Sequence, residues 1–74
     1  MVVYPNPVQD KLYLEIKGEN FDYQILNFQG QQMVQGSYRN YIDVSLLPPG
    51  IYFLQLQQED DLYQAIKFVK RWEG

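Results

Sequence analysis

The side chains that could do chemistry are few. The 74-residue chain contains no histidine and no cysteine, so it lacks the imidazole or thiolate that a zinc site, a Ser-His-Asp relay or a Cys-His nucleophile requires. Threonine is also missing, and Ser37 and Ser45 sit outside any glycine-flanked elbow that would expose a nucleophile. The Glu59-Asp60-Asp61 run offers the oxygens calcium takes, but a calcium ion wants ~6–8 ligands and no second acidic loop matches it, so the run reads as a charged hairpin tip. Asp10, Glu15 and Asp43 would serve glycoside hydrolysis only in pairs at ~5–9 Å, a separation that sequence spacing does not fix. The expectation is no catalytic residue, no metal and no cofactor.

Two groups remain as candidates for binding. Seven tyrosines, in a chain that is 16% aromatic, suit a sugar-stacking platform, but tyrosine is favoured on half-buried strands and pairs well across them, and the structural reading is preferred. Trp72, beyond the last regular alternation, reads as a core plug or an exposed end. Lys67-Phe68-Val69-Lys70-Arg71 is the single basic cluster in a chain of net charge −3. It suits an acidic partner groove, or it protects a terminal edge strand from aggregation. Six Lys and Arg against nine Asp and Glu argue against nucleic acid, whose binding draws on clustered cations. Apolar runs such as Ile51-Tyr52-Phe53-Leu54 fall far short of the ~20 residues of a membrane span. No signal-peptide pattern opens the sequence, so membrane insertion is not expected.

The elements that would position these groups are strands. Leu12, Leu14 and Ile16 alternate with Lys11, Tyr13, Glu15 and Lys17, the pattern of a half-buried strand. Residues 21–28 set Phe21, Tyr23 and Ile25 against Leu26 and Phe28, apolar on both faces and so more central. Phe28-Gln29-Gly30-Gln31 places glycine at the third turn position of a hairpin that returns through Gln32 to Tyr38. After a short strand Tyr41-Ile42-Asp43-Val44, Pro48-Pro49-Gly50 predicts a type II reversal with Gly50 left-handed. Gly50 to Gln58 and Leu62 to Arg71 then form a second hairpin.

With Val2-Val3-Tyr4, this makes about seven strands of an all-β, small antiparallel β-sandwich of immunoglobulin-like type. The length allows one domain, residues 1–74. Residues 1–3 read as an expression start or the end of a linker, and residues 71–74 as a tail. The expected core is Leu12, Leu14, Ile16, Ile25, Leu26, Val44, Phe53, Leu54, Leu56, Ile66 and Phe68.

Several phrases together resemble one family. Tyr4-Pro5-Asn6-Pro7 with Asp10-Lys11-Leu12 is similar to its opening motif, and Ile25-Leu26-Asn27-Phe28-Gln29-Gly30-Gln31 to its central strand and glycine turn. Ile42-Asp43-Val44-Ser45-Leu46 with Gly50-Ile51-Tyr52 resembles its later paired motif, and Lys67-Phe68-Val69-Lys70 its closing lysine motif. Four motifs in order point to the C-terminal sorting domain of cargo exported by the type IX (Por) secretion system of Bacteroidota.

The resemblance implies a signal that carries its cargo through the periplasm and across the outer membrane to the cell surface or the medium. It implies as partners an outer-membrane shuttle protein and a cysteine-protease sortase that removes the domain. Recognition would fall on Pro5, Asn6, Pro7, Gly50, Tyr52, Lys67 and Lys70. The two lysines lie on the final strand, where a partner would add backbone hydrogen bonds and pair charges. The oligomeric state is left open. The competing reading is a secreted carbohydrate-binding accessory module, which would need several coplanar exposed tyrosines.

Overall fold

The computed structural model describes residues 2–16, 21–58, 61–62 and 65–72, and they contain strands and no helix. The strands are β1 (Val2–Tyr4), β2 (Lys11–Glu15), β3 (Phe21–Asn27), β4 (Gln32–Tyr38), β5 (Ile42–Asp43), β6 (Gly50–Gln58), β7 (Asp61–Leu62) and β8 (Ile66–Lys70). They pair antiparallel into two sheets, one ordered β1-β2-β5 and the other β4-β3-β6, with β7 and β8 sharing the far side of β6. The last strand expected from Leu62 onward is thus divided into β7 and β8. The all-β sandwich that the alternation predicts is the fold.

Period-two patterning places the core between the sheets. Leu12 and Leu14 of β2 face Phe21 and Ile25 of β3, Leu54 and Leu56 of β6 and Phe68 of β8, with Val8, Ile42, Val44, Leu47 and Tyr52 completing the buried cluster. Seven of the expected core residues lie in it, and Ile16 packs against it half-buried.

Leu26 and Phe53 do not. They are cross-strand partners on the outer face of the larger sheet, because Ile25 and Leu54 take the inner positions and their neighbours must point the other way. Ile66 is half-buried at the start of β8. Val8, Phe21, Ile42, Leu47 and Tyr52 enter the core in addition to the residues expected there.

The turns adjust two expectations. In the β3–β4 hairpin the Gly30 N–H donates to the Asn27 carbonyl at 2.9 Å and the Asn27 N–H to the Gln31 carbonyl at 2.9 Å. The turn therefore spans residues 27–30, and Gly30, at φ 85°, is the left-handed last residue of the three-residue loop 28–30. The Asn27 side chain holds the loop by accepting from the Gln29 and Gln31 N–H groups, each at 2.9 Å. After β5 the reversal comes earlier than Pro48-Pro49-Gly50. The Leu47 N–H donates to the Val44 carbonyl at 3.1 Å, and Gly50, at φ 157°, already opens β6 instead of taking the ~+80° of a type II turn.

Candidate functional site: the end strand and opening loop

The opening motif does not trail from the sandwich. Val8 is fully buried and bridges in parallel to Lys70. Its N–H donates to the Val69 carbonyl and its carbonyl accepts from the Arg71 N–H, both at 2.8 Å. The Val69 N–H donates to the Asn6 side-chain carbonyl at 2.9 Å. The loop of Pro5, Asn6 and Pro7, with cis bonds at Tyr4-Pro5 and Asn6-Pro7, is laid along the outer side of β8. Asn6 fits this position because its short amide carbonyl can satisfy a strand N–H that no neighbouring strand reaches.

The later motif meets β8 from the opposite side. Gly50 pairs with Lys70 and Tyr52 with Phe68, and the Tyr52 and Phe68 rings stack at 5.8 Å with 26° between planes. The Tyr52 hydroxyl donates to the Pro48 carbonyl at 2.6 Å, and burial pushes its pKa above the ordinary phenol value. Lys70 is 3% exposed, and its ammonium donates to the Leu47 carbonyl at 3.1 Å. The turn that presents this carbonyl is set by Asp43, whose carboxylate accepts from the Ser45 N–H at 2.9 Å. The adjacent Val44 N–H donates to the Asp10 carbonyl at 2.8 Å.

Three of the four motifs therefore converge on one end of the sandwich, around β8. The central motif forms the β3–β4 hairpin, and its Asn27 pairs with Tyr52 of this end.

The seven residues expected to carry recognition divide by exposure. Pro5, Asn6, Pro7 and Lys67 are exposed, Gly50 is half-buried, and Tyr52 and Lys70 are buried. This corrects the view of the last strand as an open edge carrying two free charges. The Val69 to Arg71 stretch has its edge groups occupied by the opening loop, and the Lys70 ammonium is spent inside the fold. Lys67 differs. Antiparallel alternation aims its backbone groups away from β6, as at Val69, and its side chain forms no ion pair with the described residues.

Two features of this end were not anticipated from residue types. Leu47 contributes a backbone carbonyl, which no side-chain pattern signals. Val8 had one available cue, a single apolar residue between the proline motif and Asp10.

Asp43 gives this end a pH dependence. The Ser45 hydroxyl and N–H, aided by the Lys11 ammonium, hold its carboxyl below the usual carboxylate value. A depressed folded pKa contributes stability that is present above the unfolded value and is lost as pH falls through the folded one. The acid limb of the stability curve, below about pH 4, should therefore be flatter in Asp43→Asn than in wild type, measured by denaturant midpoints across pH. Superimposable limbs would refute the assignment.

The remaining candidates are accounted for structurally. Tyr4 and Tyr13 stack on each other at 5.8 Å, Tyr13 lies 55° from the plane of Tyr41, and Lys11 sits 4.7 Å over the Tyr41 ring. These rings spend their faces on one another and on a lysine, so they are not the coplanar row a sugar platform needs. Trp72 is exposed, and Glu59 and Asp60 of the acidic run lie outside the described residues. No group of metal-binding side chains occurs among the described residues, and no helix among them is long and apolar enough to cross a membrane.

A family model, secretion system C-terminal sorting domain, matches residues 2–71, which takes in all four motifs and every strand. The chain belongs to that family. This sorting domain is a C-terminal signal for type IX secretion, and it directs its cargo to the cell surface or out of the cell through that machinery. Set against curated proteins, the sorting domain has no significant match. The family is one of sorting signals, not one known for catalysis.

Proposed function

We propose that residues 1–74 act as a single sorting unit whose exposed end, formed by Pro5, Asn6, Pro7 and Lys67, is read in the periplasm by an outer-membrane shuttle protein. The observation that carries this reading is the convergence of the opening loop and the closing strand on one surface through the Asn6 and Val8 bonds to β8. Gly50, Tyr52 and Lys70 support that surface from inside. The domain has no catalytic role and no cofactor, and a sortase removes it when the cargo is anchored at the surface.

The test is a periplasmically targeted reporter fused ahead of the domain in a type IX-competent host. The unmodified fusion should reach the surface. Lys67→Ala, with a wild-type circular dichroism spectrum, should leave the reporter in the periplasm. A folded Lys67→Ala fusion exported at the wild-type rate would remove Lys67 from the recognition surface, and retention of the unmodified fusion would refute the export reading itself.

A further inference from the structure

Sheet edges are aggregation hazards that folds usually blunt, and an unblunted edge is a template for strand addition. Among the described residues, β1 has three residues and runs into Pro5, and β5 and β7 have two each. The outer side of β8 is covered by the opening loop at Val69 and Arg71. β4 is different: seven residues long, at the outer limit of its sheet, with no proline and no charged side chain, and its one bulge, at Met33, lies ahead of the regularly paired stretch Val34–Tyr38.

Two independent anchors fix which of its groups point outward. The Asn27 N–H bonds toward β4 at Gln31, so Phe21, Tyr23 and Ile25 also bond toward β4. Val69, which aims away from β6, gives the same alternation when carried through β6 to β3. Their partners Tyr38, Gly36 and Val34 point back, and the N–H and C=O groups of Gln35 and Ser37 point out, with no partner among the described residues.

A cavity of about 470 Å³ lies beside this edge on the outer face. Its lining includes Asp22, Gln24, Gln35, Ser37, Gln55 and Gln57. Some of this polarity is already paired: Ser37 donates to the Asp22 carboxylate at 2.8 Å, and Gln24 to Gln55 at 2.6 Å. The Gln35 side-chain carbonyl accepts from the Gln32 amide at 3.1 Å, which leaves its own amide N–H groups and the Gln57 side chain as hydrogen-bonding positions at side-chain distance from the edge.

From this we infer that β4 takes up an extended segment of another polypeptide as an added strand, with backbone bonds to Gln35 and Ser37 and a polar side chain reaching into the outer-face cavity. The occupant is a peptide strand because the free groups are a backbone ladder. The net charge of −3 disfavours nucleic acid, and the aromatic residue of the lining, Tyr23, packs against the core instead of offering a row of faces to a sugar. The partner is a component of the export machinery, a step that rests on the export reading.

The test separates backbone from side chain. Proline is tolerated in a strand where the N–H faces outward, so Gln35→Pro removes one docking bond and leaves the β3 ladder intact. In the reporter fusion it should lower surface export by about tenfold, the worth of ~1.4 kcal/mol. Gln35→Ala, which keeps the N–H and gives up only the side chain's place in the cavity lining, should lower export by less than Gln35→Pro does. If Gln35→Pro does not fold, Gln35→Lys with Ser37→Lys blunts the same edge with charge and takes its place.

A photo-crosslinking residue at Ser37 should capture a machinery protein in the host, and one at Tyr13, on the opposite sheet, should not. Wild-type export of a folded edge variant, crosslinking of Ser37 only to a second copy of the chain, or no crosslink at all overturns the proposal. If the unmodified fusion is not exported, the export reading fails by itself, and the Ser37 crosslink then decides the edge.

Discussion

Phe68→Ala should remove a large share of the domain's stability. Phe68 is fully buried, stacks on Tyr52 and pairs with it across β6 and β8. Truncating a buried phenylalanine costs ~3–5 kcal/mol through lost burial and the cavity left behind. A chain of 74 residues has ~4–11 kcal/mol of total stability at ~0.05–0.15 kcal/mol per residue, so one such loss removes about a quarter of it or more. The urea midpoint should fall by roughly 2 M, given a slope of ~1–3 kcal/mol per molar. Phe68→Leu, which keeps most of the volume, should fall by less than half of that. An unchanged midpoint for the alanine variant would show that β8 is not part of the cooperative fold, and the site built on it would have no foundation.

How far the sequence revealed this arrangement depended on which physical signal each residue carries. β2 was legible because Leu12 and Leu14 alternate with polar neighbours, and one face of its sheet is solvated. β3 and β6 were harder. Both faces of the larger sheet carry apolar side chains, so period two alone does not decide between Ile25 and Leu26, or between Phe53 and Leu54. The decision belongs to cross-strand register, which places Leu26 beside Phe53 and sends both outward.

The candidate site had the same split. Motif order identified the residues, but not that Asn6 bonds to β8 across sixty-three positions of sequence, since a side-chain carbonyl can cap many partners. Lys70 was the most misleading residue. Lysine is almost never buried without a partner, and its partner here is a main-chain carbonyl that composition cannot advertise.

Lys67 and Lys70, three positions apart on one short strand, should therefore fail in different ways when mutated. Lys70→Ala removes a charge-assisted bond to the Leu47 carbonyl and the packing of the lysine stem. Bonds to charged groups contribute ~1.5–3 kcal/mol, and the carbonyl is left without its donor, so a loss of about 2–4 kcal/mol is expected, visible in the urea midpoint. Lys67→Ala changes an exposed side chain and should stay within ~0.5 kcal/mol of wild type. Export should fall in both, for Lys70→Ala because the end of the sandwich loosens and for Lys67→Ala with the fold intact. Lys70→Met separates structure from recognition, because it keeps the unbranched stem and discards only the ammonium. If Lys70 is a strut, methionine should recover most of the stability lost in alanine, and export should rise in proportion. A folded Lys70→Met domain that stays in the periplasm would instead mean that the ammonium is itself read, and that this end must open for recognition to occur.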